Sequence, residues 1–462
     1  MLNLCFDEYY SSGLDACVKI SLENRSRPIY SNWVARCSLS GPDKINPVGA
    51  NSNDLEGMAF AYVVELHWDM TEWCERRPDV SLVVPPTAVL KALREHRAVI
   101  LVSFAHEGRR HFDPNTKGRC IYDALADLVE FYSLAKEQVW FVTGNVQADT
   151  ELTQWARARG VLEPSFLLRI AEISSFGIGL EARESYRGGQ GTDARLIRRP
   201  ANQANGCMSF EETKLSRVKV NFPGYRLGEP CNDEGFRWNF GCMNRVFRAH
   251  RWWTVKYLYE NSLIDLGNVS FPQMTGKYLE SVGQEPVDRP LLDFIESLPR
   301  VIDQVFDTER FSVFNSQNSR AVSMPPVEIS RQCPFEIVTE THYLEPTFVT
   351  EKTFKALIGS GPLLVVGTRG VLDYLHQIGV QTWSEFFDES YDEISSDEHG
   401  QESRRASQAL NAVARILSNR KALVDLVEGS RELRDANLNW LINEPKPWDR
   451  LIDELKATLV SL

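Results

Sequence analysis

The sequence predicts an α/β protein made of two Rossmann-like domains. Three observations lead there. The chain has 462 residues, more than one ordinary core accommodates. Short apolar runs lead through turn residues into stretches of helical periodicity, the pattern of strands feeding helices. That pattern stops at a stretch rich in Gly, Arg and Asn and resumes beyond it, which suggests two similar halves.

In the first half the clearest strands are Ala98–Phe104 (AVILVSF) and Val139–Thr143 (VWFVT), the second ending at Gly144-Asn145. Between them, Ile121 to Leu134 carries apolar residues at helical spacing. Strand, helix, strand implies a parallel pair with a right-handed crossover. From about Glu184 to Pro230 aliphatic residues thin out, and a flexible loop or interdomain connection is expected.

The second half opens with a helix over Arg248–Asn261 and a turn at Asp265-Leu266-Gly267-Asn268. A second α/β series is expected from near Phe335: a strand at Phe335–Thr339, a helix over Thr350–Ile358 ended by Gly359-Ser360-Gly361, and a strand at Pro362–Val366. A turn at Gly367–Gly370 then enters a helix at Val371–Leu375, and Trp448 to Leu462 forms an amphipathic helix after Pro445 and Pro447. The expected division is 1–235 with a flexible 184–230 segment, 236–445, and a closing helix over 446–462.

Hydrophobic residues at 43% and charged residues at 25% are the balance of a folded globular protein. A net charge of -12 makes a nucleic-acid partner unlikely, since phosphate binding depends on Lys and Arg. Nine cysteines without a C-x-x-C pair read as reduced thiols of a cytoplasmic protein. The N-terminus lacks a basic start and apolar run, and no later stretch is long enough to span a bilayer, so neither a signal peptide nor a membrane span is expected. The eleven tryptophans could stack on sugars, but core and interface positions are the better reading. The acidic stretch from Asp388 to Glu402 has no apolar framing and reads as a solvated loop.

Helix starts at the edge of a parallel sheet attract anions, because free N–H groups and the helix dipole point at what sits there. Thr350-Glu351-Lys352 occupies such a start. Thr350 can cap the helix, Lys352 can meet a diphosphate, and Glu351 can accept two ribose hydroxyls. Alone, the tripeptide reads better as a charged helix start, with Glu351 complementing the helix dipole and Lys352 a surface charge. Its surroundings say more: Glu340 ends a strand eleven residues before Glu351, and Gly361-Pro362 opens the next strand, Leu363-Leu364-Val365-Val366, which ends at Gly367.

This arrangement resembles the donor-binding segment of the α-1,3-fucosyltransferase family, where a strand ending in Glu-Asn leads to a Thr-Glu-Lys helix and then to a Pro-containing strand and a Gly. A second similarity lies upstream, where Asn244-Arg245 precede Arg248 and Arg251, and Leu258 stands seven after Arg251. The likeness covers about Cys242 to Asp392, with Thr341 in place of the family's Asn. It implies two domains facing across a cleft, the GT-B architecture, and a nucleotide-sugar site made of Arg245, Arg248, Arg251, Glu340, Thr350, Glu351 and Lys352.

Transfer also needs a base to deprotonate an acceptor hydroxyl. His106-Glu107-Gly108 directly follows the Ala98–Phe104 strand, and Glu107 is preferred to His106 as that base, with Arg109, Arg110 or His111 as acceptor contacts. Gly144-Asn145 is either part of the same crevice or simply a turn. The chain has no Asp-x-Asp pair to hold a divalent ion on a diphosphate, so neither a metal nor another cofactor is expected and Lys352 and the arginines must neutralise the leaving group. The expected activity is transfer of a sugar, GDP-fucose-like in the leading reading, to a glycan or other hydroxyl. A CMP- or UDP-linked donor and an inactive binding protein of the same fold are the alternatives.

Overall fold

The computed structural model describes residues 1–6, 9–10, 45–49, 55–66, 74, 85–105, 108–115, 118–175, 179, 193–197, 207–208, 215–219, 236–244, 247–271, 289–298, 333–344, 346–358, 361–395 and 403–462. The chain divides into two compact units: Met1–Phe222 with Pro445–Leu462, and Pro223–Glu444.

The first unit holds a sheet of six strands, β1 (Leu2–Phe6), β2 (Ile45–Gly49), β3 (Phe60–Glu65), β4 (Ala98–Phe104), β5 (Val139–Thr143) and β6 (Leu167–Ile170). Every pairing is parallel and the order is β2-β1-β3-β4-β5-β6. All residues of β4 and β5 are buried, as central strands covered on both faces must be. On one face Val102, Phe104 and Phe141 pack with residues of α1 (Thr87–Arg94), α2 (Ile121–Tyr132) and α3 (Ala148–Arg159), including Val89, Leu125 and Trp155. Helix α3 carries Asp149 and Glu151 in its first turn, Arg157 and Arg159 in its last, and Gly160 in a left-handed C-cap.

The second unit holds a four-stranded parallel sheet of β7 (Phe240–Met243), β8 (Gly267–Ser270), β9 (Glu336–Thr339) and β10 (Leu363–Val366), in the order β8-β7-β9-β10. Its helices are α4 (Ala249–Glu260), α5 (Arg289–Ser297), α6 (Glu351–Ile358), α7 (Val371–Ile378), α8 (Arg404–Leu417), α9 (Arg420–Gly429) and α10 (Arg431–Asn443). The chain then returns to the first unit as α11 (Pro447–Ser461), whose Trp448, Leu451, Ile452 and Leu455 complete the other face of the first sheet against Val99, Leu101 and Val142. Both sheets are thus Rossmann-like, and both reverse winding direction between their first and third strands in chain order.

Several expectations change. The first sheet begins with three strands that the apolar-run reading did not single out: β1 (LNLCF) and β2 (INPVG) carry polar or turn residues within them, whereas β3 (FAYVVE) is a run as apolar as β5. The second series starts at Phe240, well ahead of Phe335. Gly267-Asn268, expected as a turn, begin β8, and a Cβ on Gly267 would stand 2.3 Å from the Phe240 ring. Within the expected 184–230 loop, Asp193–Ile197 and Leu215–Lys219 pair as an antiparallel ladder. Cys207–Met208 pair antiparallel with Tyr9–Tyr10, and the rest of that segment lies outside the described residues. The described part of the acidic stretch is solvated only in part: Asp388, Ser390 and Glu393 are exposed, but Glu389 accepts from Trp383 N–H at 2.9 Å, and the buried Asp392 caps α7 through Val371 and Leu372 N–H at 3.1 and 3.0 Å. Among the described tryptophans, Trp140, Trp155, Trp252 and Trp448 are core residues, while Trp68 lies outside the described set.

Candidate functional site at the second switch point

Open parallel sheets offer a crevice beyond the carboxyl ends of the strands where the order switches. In the second unit this lies between β7 and β9, and the residues just past those strands are Asn244 and Glu340. Asn244 is fully buried. Its N–H donates to Ser270 Oγ at the end of β8 at 3.0 Å, and its Oδ1 accepts from Thr339 Oγ1 at the end of β9 at 2.6 Å. One residue, through its backbone N–H and its side chain, thereby ties three strand ends together.

Glu340 is also fully buried, and its carboxylate is turned into the start of α6. Oε1 accepts from Thr350 N–H at 3.1 Å and from Thr353 Oγ1 at 2.6 Å. Oε2 accepts from Thr341 N–H at 3.2 Å and from the Thr350 hydroxyl. These bonds satisfy donors that a helix start leaves open. Gly367, just after β10, makes room: a Cβ there would stand 3.3 Å from Glu340 Cβ and Cγ.

The backbone of Glu340 faces the other way. Its carbonyl oxygen accepts from His250 Nε2 at 2.7 Å and from Arg251 Nη2 at 3.0 Å, and the same Nη2 lies 3.3 Å from the Thr339 carbonyl. His250 and Arg251 stand in the first turn of α4 and are buried. Burial, with Arg251 beside it, holds His250 well below the usual imidazole range, so it is neutral at pH 7. Burial and the neighbouring Arg248 push Arg251 down to about 10, which leaves it charged at pH 7. Arg248 is exposed at the N-cap position of α4, and among the described residues no side chain caps that helix.

Thr350 Oγ1 accepts from Lys352 N–H at 3.3 Å, the bond of an N-cap. The Lys352 ammonium donates to Thr341 Oγ1 at 2.8 Å, to Thr350 Oγ1 at 3.2 Å and to Glu351 Oε1 at 3.2 Å. Glu351 also lies 3.6 Å from Lys355 Nζ. Burial alone would raise the Glu351 carboxyl, but Lys352 and Lys355 outweigh it and hold it at about 2. The arrangement is a buried anion, Glu340, surrounded by hydroxyls that carry a half-exposed cation.

The structure therefore brings Arg248, Arg251, Glu340, Thr350, Glu351 and Lys352 to one sheet edge. Arg245 lies outside the described residues, as do His106 and Glu107. Near the latter pair, His111 is buried with its Nε2 2.7 Å from Thr143 Oγ1, edge-on to Phe104, Tyr122 and Phe141. Burial pushes it down to about 3, so it is a neutral core residue and not an acceptor contact. Asn145 is a turn residue, its Oδ1 accepting from Gln147 N–H at 2.8 Å ahead of α3.

His250 and Asp392 were not singled out as site or scaffold residues by sequence, and Asn244 and Thr341 entered only as positions of the family resemblance, with no role given. For Asn244 a signal existed, a polar residue directly after a short apolar run, but nothing local distinguishes it from a loop start. Among the described residues no group of three or more His, Cys, Asp or Glu side chains could hold a metal ion, and no helix is long and apolar enough to cross a membrane.

No family model matches the chain, and no curated protein sequence matches it. Among solved structures, the DNA-modifying enzyme β-glucosyltransferase, studied with and without uridine diphosphoglucose, is similar over 100% of both chains at 10% identity and a TM-score of 0.36. An α1,3-fucosyltransferase with GDP is similar over 100% of this chain and 90% of that one, at 9% identity and a TM-score of 0.32. Likenesses at this level say nothing of the site's chemistry.

Proposed function

We propose that the protein is a glycosyltransferase that moves a sugar from a nucleotide-sugar donor to a hydroxyl acceptor without a divalent metal. The observation that carries this reading is the gathering of Arg248, Arg251, Glu351 and Lys352 at the switch point of the second sheet. Three helices of that unit start near its strand ends. The start of α6 is filled by Glu340 and that of α7 by Asp392. The start of α4 has no side-chain cap among the described residues and is flanked by the exposed Arg248. A diphosphate seated there meets the N–H groups of the first turn of α4, the positive end of the helix dipole and the Lys352 ammonium.

In this reading Glu351 receives the ribose hydroxyls, and Lys355 keeps its charge compensated when Lys352 turns to phosphate. Glu107 of the first unit takes the acceptor proton. The acceptor oxygen then bonds to the anomeric carbon as the bond from that carbon to the phosphate oxygen breaks. Lys352 and the arginines stabilise the charge that develops on the departing diphosphate. GDP-fucose is the leading donor on the family resemblance, with UDP- and CMP-sugars as alternatives.

A thermal-shift panel of GDP, UDP and CMP tests the reading, since the cognate nucleotide raises the unfolding temperature by linkage. Glu107→Gln is expected to keep that shift and to lose transfer. Absence of a shift with every member of the panel would sink the assignment.

A further inference from the structure

We infer that Glu340 is a positioning residue for the anion site and does not itself touch the ligand. The inference rests on the nucleotide-sugar reading above and names the part that organises its phosphate-binding half. All four of its carboxylate hydrogen bonds run to its own chain: Thr341 N–H, Thr350 N–H and the hydroxyls of Thr350 and Thr353. A carboxylate offers about four lone-pair sites, so this set leaves none for a ribose.

The bonds have a directional consequence. A Thr hydroxyl has one hydrogen and two lone pairs. Because Thr350 Oγ1 spends its hydrogen on Glu340, it can only accept elsewhere, and it accepts from both the N–H and the Nζ of Lys352. Glu340 thus sets the polarity of the hydroxyl that holds the Lys352 ammonium. Through Thr341 N–H it also fixes the residue whose hydroxyl takes a second Nζ hydrogen bond.

The same residue reaches the other half of the site through its backbone. Its carbonyl holds His250 and Arg251 of the first turn of α4, while its carboxylate holds the first turn of α6. The two helix starts are therefore registered to each other through one residue, over a Gly367 that leaves space for its side chain. A diphosphate that spans the α4 start and Lys352 depends on that registration.

Electrostatics and positioning predict opposite signs, which makes the inference testable. If Glu340 were a bystander, replacing its negative charge by an amide would reduce repulsion and tighten anion binding. As a positioning residue, its loss loosens Lys352 and weakens binding. The experiment measures affinity by calorimetry for UDP or GDP, whichever the wild type binds, and for the matching nucleoside. The proteins are wild type, Glu340→Gln, Thr353→Val and Asp392→Asn, each with its unfolding temperature.

Glu340→Gln is expected to weaken the diphosphate by at least about tenfold, with little change for the bare nucleoside. Thr353→Val removes one donor to Glu340, away from the ligand, and is expected to weaken the diphosphate by a smaller factor. Should the Gln variant fail to fold, Thr353→Val carries the test. Asp392→Asn breaks the other buried cap of the unit and is expected to lower the unfolding temperature while leaving diphosphate affinity unchanged. Unchanged or tighter diphosphate binding in Glu340→Gln, or in Thr353→Val where the former does not fold, overturns the positioning role. So does an equal loss in Asp392→Asn. A wild type that binds neither diphosphate overturns this inference, and one that binds none of GDP, UDP and CMP overturns the nucleotide-sugar reading as well.

Discussion

The Arg251 guanidinium donates to the carbonyl oxygen of Glu340 at 3.0 Å, joining the first turn of α4 to the residue that follows β9. The bond crosses the switch point of the second sheet, and it is made by a buried arginine that remains charged at pH 7. Arg251→Ala leaves the Thr339 and Glu340 carbonyls short of a donor in a buried place. The expected cost is about 1–3 kcal/mol in the stability of the second unit, together with loss of nucleotide binding. Denaturant unfolding and calorimetry on the same protein check both.

Lys352→Ala separates binding from stability. Lys352 is partly exposed, and Lys355 remains beside Glu351, so the stability change is expected to stay within about 1 kcal/mol. Affinity for the cognate nucleoside diphosphate is expected to fall by about tenfold or more, since one fixed cation is lost from the phosphate. Unchanged affinity by calorimetry refutes the donor-site assignment.

Gly367→Ala tests the packing under Glu340. The new Cβ would stand 3.3 Å from Glu340 Cβ and Cγ, so one of the two must give way. A destabilisation of about 1–3 kcal/mol is expected from overpacking, and weaker nucleotide binding should accompany it. A variant that binds nucleotide as the wild type does shows that Glu340 tolerates displacement.

Trp448→Ala acts on the first unit although the residue lies near the end of the chain. Trp448 is buried against the first sheet with Leu451, Ile452 and Leu455. The expected loss is about 3–5 kcal/mol, confined to that unit's unfolding transition. Calorimetric scanning of wild type and variant, with nucleotide added to mark the second unit, distinguishes which transition moves.

The pH dependence of the first unit carries a signature of Glu172. Burial pushes this carboxyl up from 4.5 to about 7, against hydrogen bonds from Ser174 and Ser175. Folding therefore favours the protonated form. The stabilisation is full below pH 4.5 and is lost as the pH rises through 7. Relative to Glu172→Gln, the wild type should gain up to about 3 kcal/mol on acidification from pH 8 to pH 4.5, at about 1.4 kcal/mol per unit. Chemical denaturation of both proteins over that range measures the difference, and a difference independent of pH contradicts it.

How much of this was legible in the sequence follows from how local each signal is. Ala98–Phe104 and Val139–Thr143 are continuous apolar runs because central parallel strands are buried on both faces, and such runs announce themselves. The helices at α4, α6 and α7 likewise follow from local spacing, and α6 and α7 also from the glycines that follow them. The candidate cations and the Thr-Glu-Lys turn were visible because a charged helix start after a strand is a local pattern. Only the tertiary structure decided what Glu340 does, since its partners Thr350 and Thr353 belong to the cap and first turn of a helix that packs back on its strand end. The same holds for the role of Asn244 across three strands and for α11, the last helix of the chain, which shares a core with the first sheet and with Leu167 of β6. Periodicity reports which face of an element is buried. It carries no information about which distant element buries it, and hydrogen bonds between such elements exist only once the sheet is assembled.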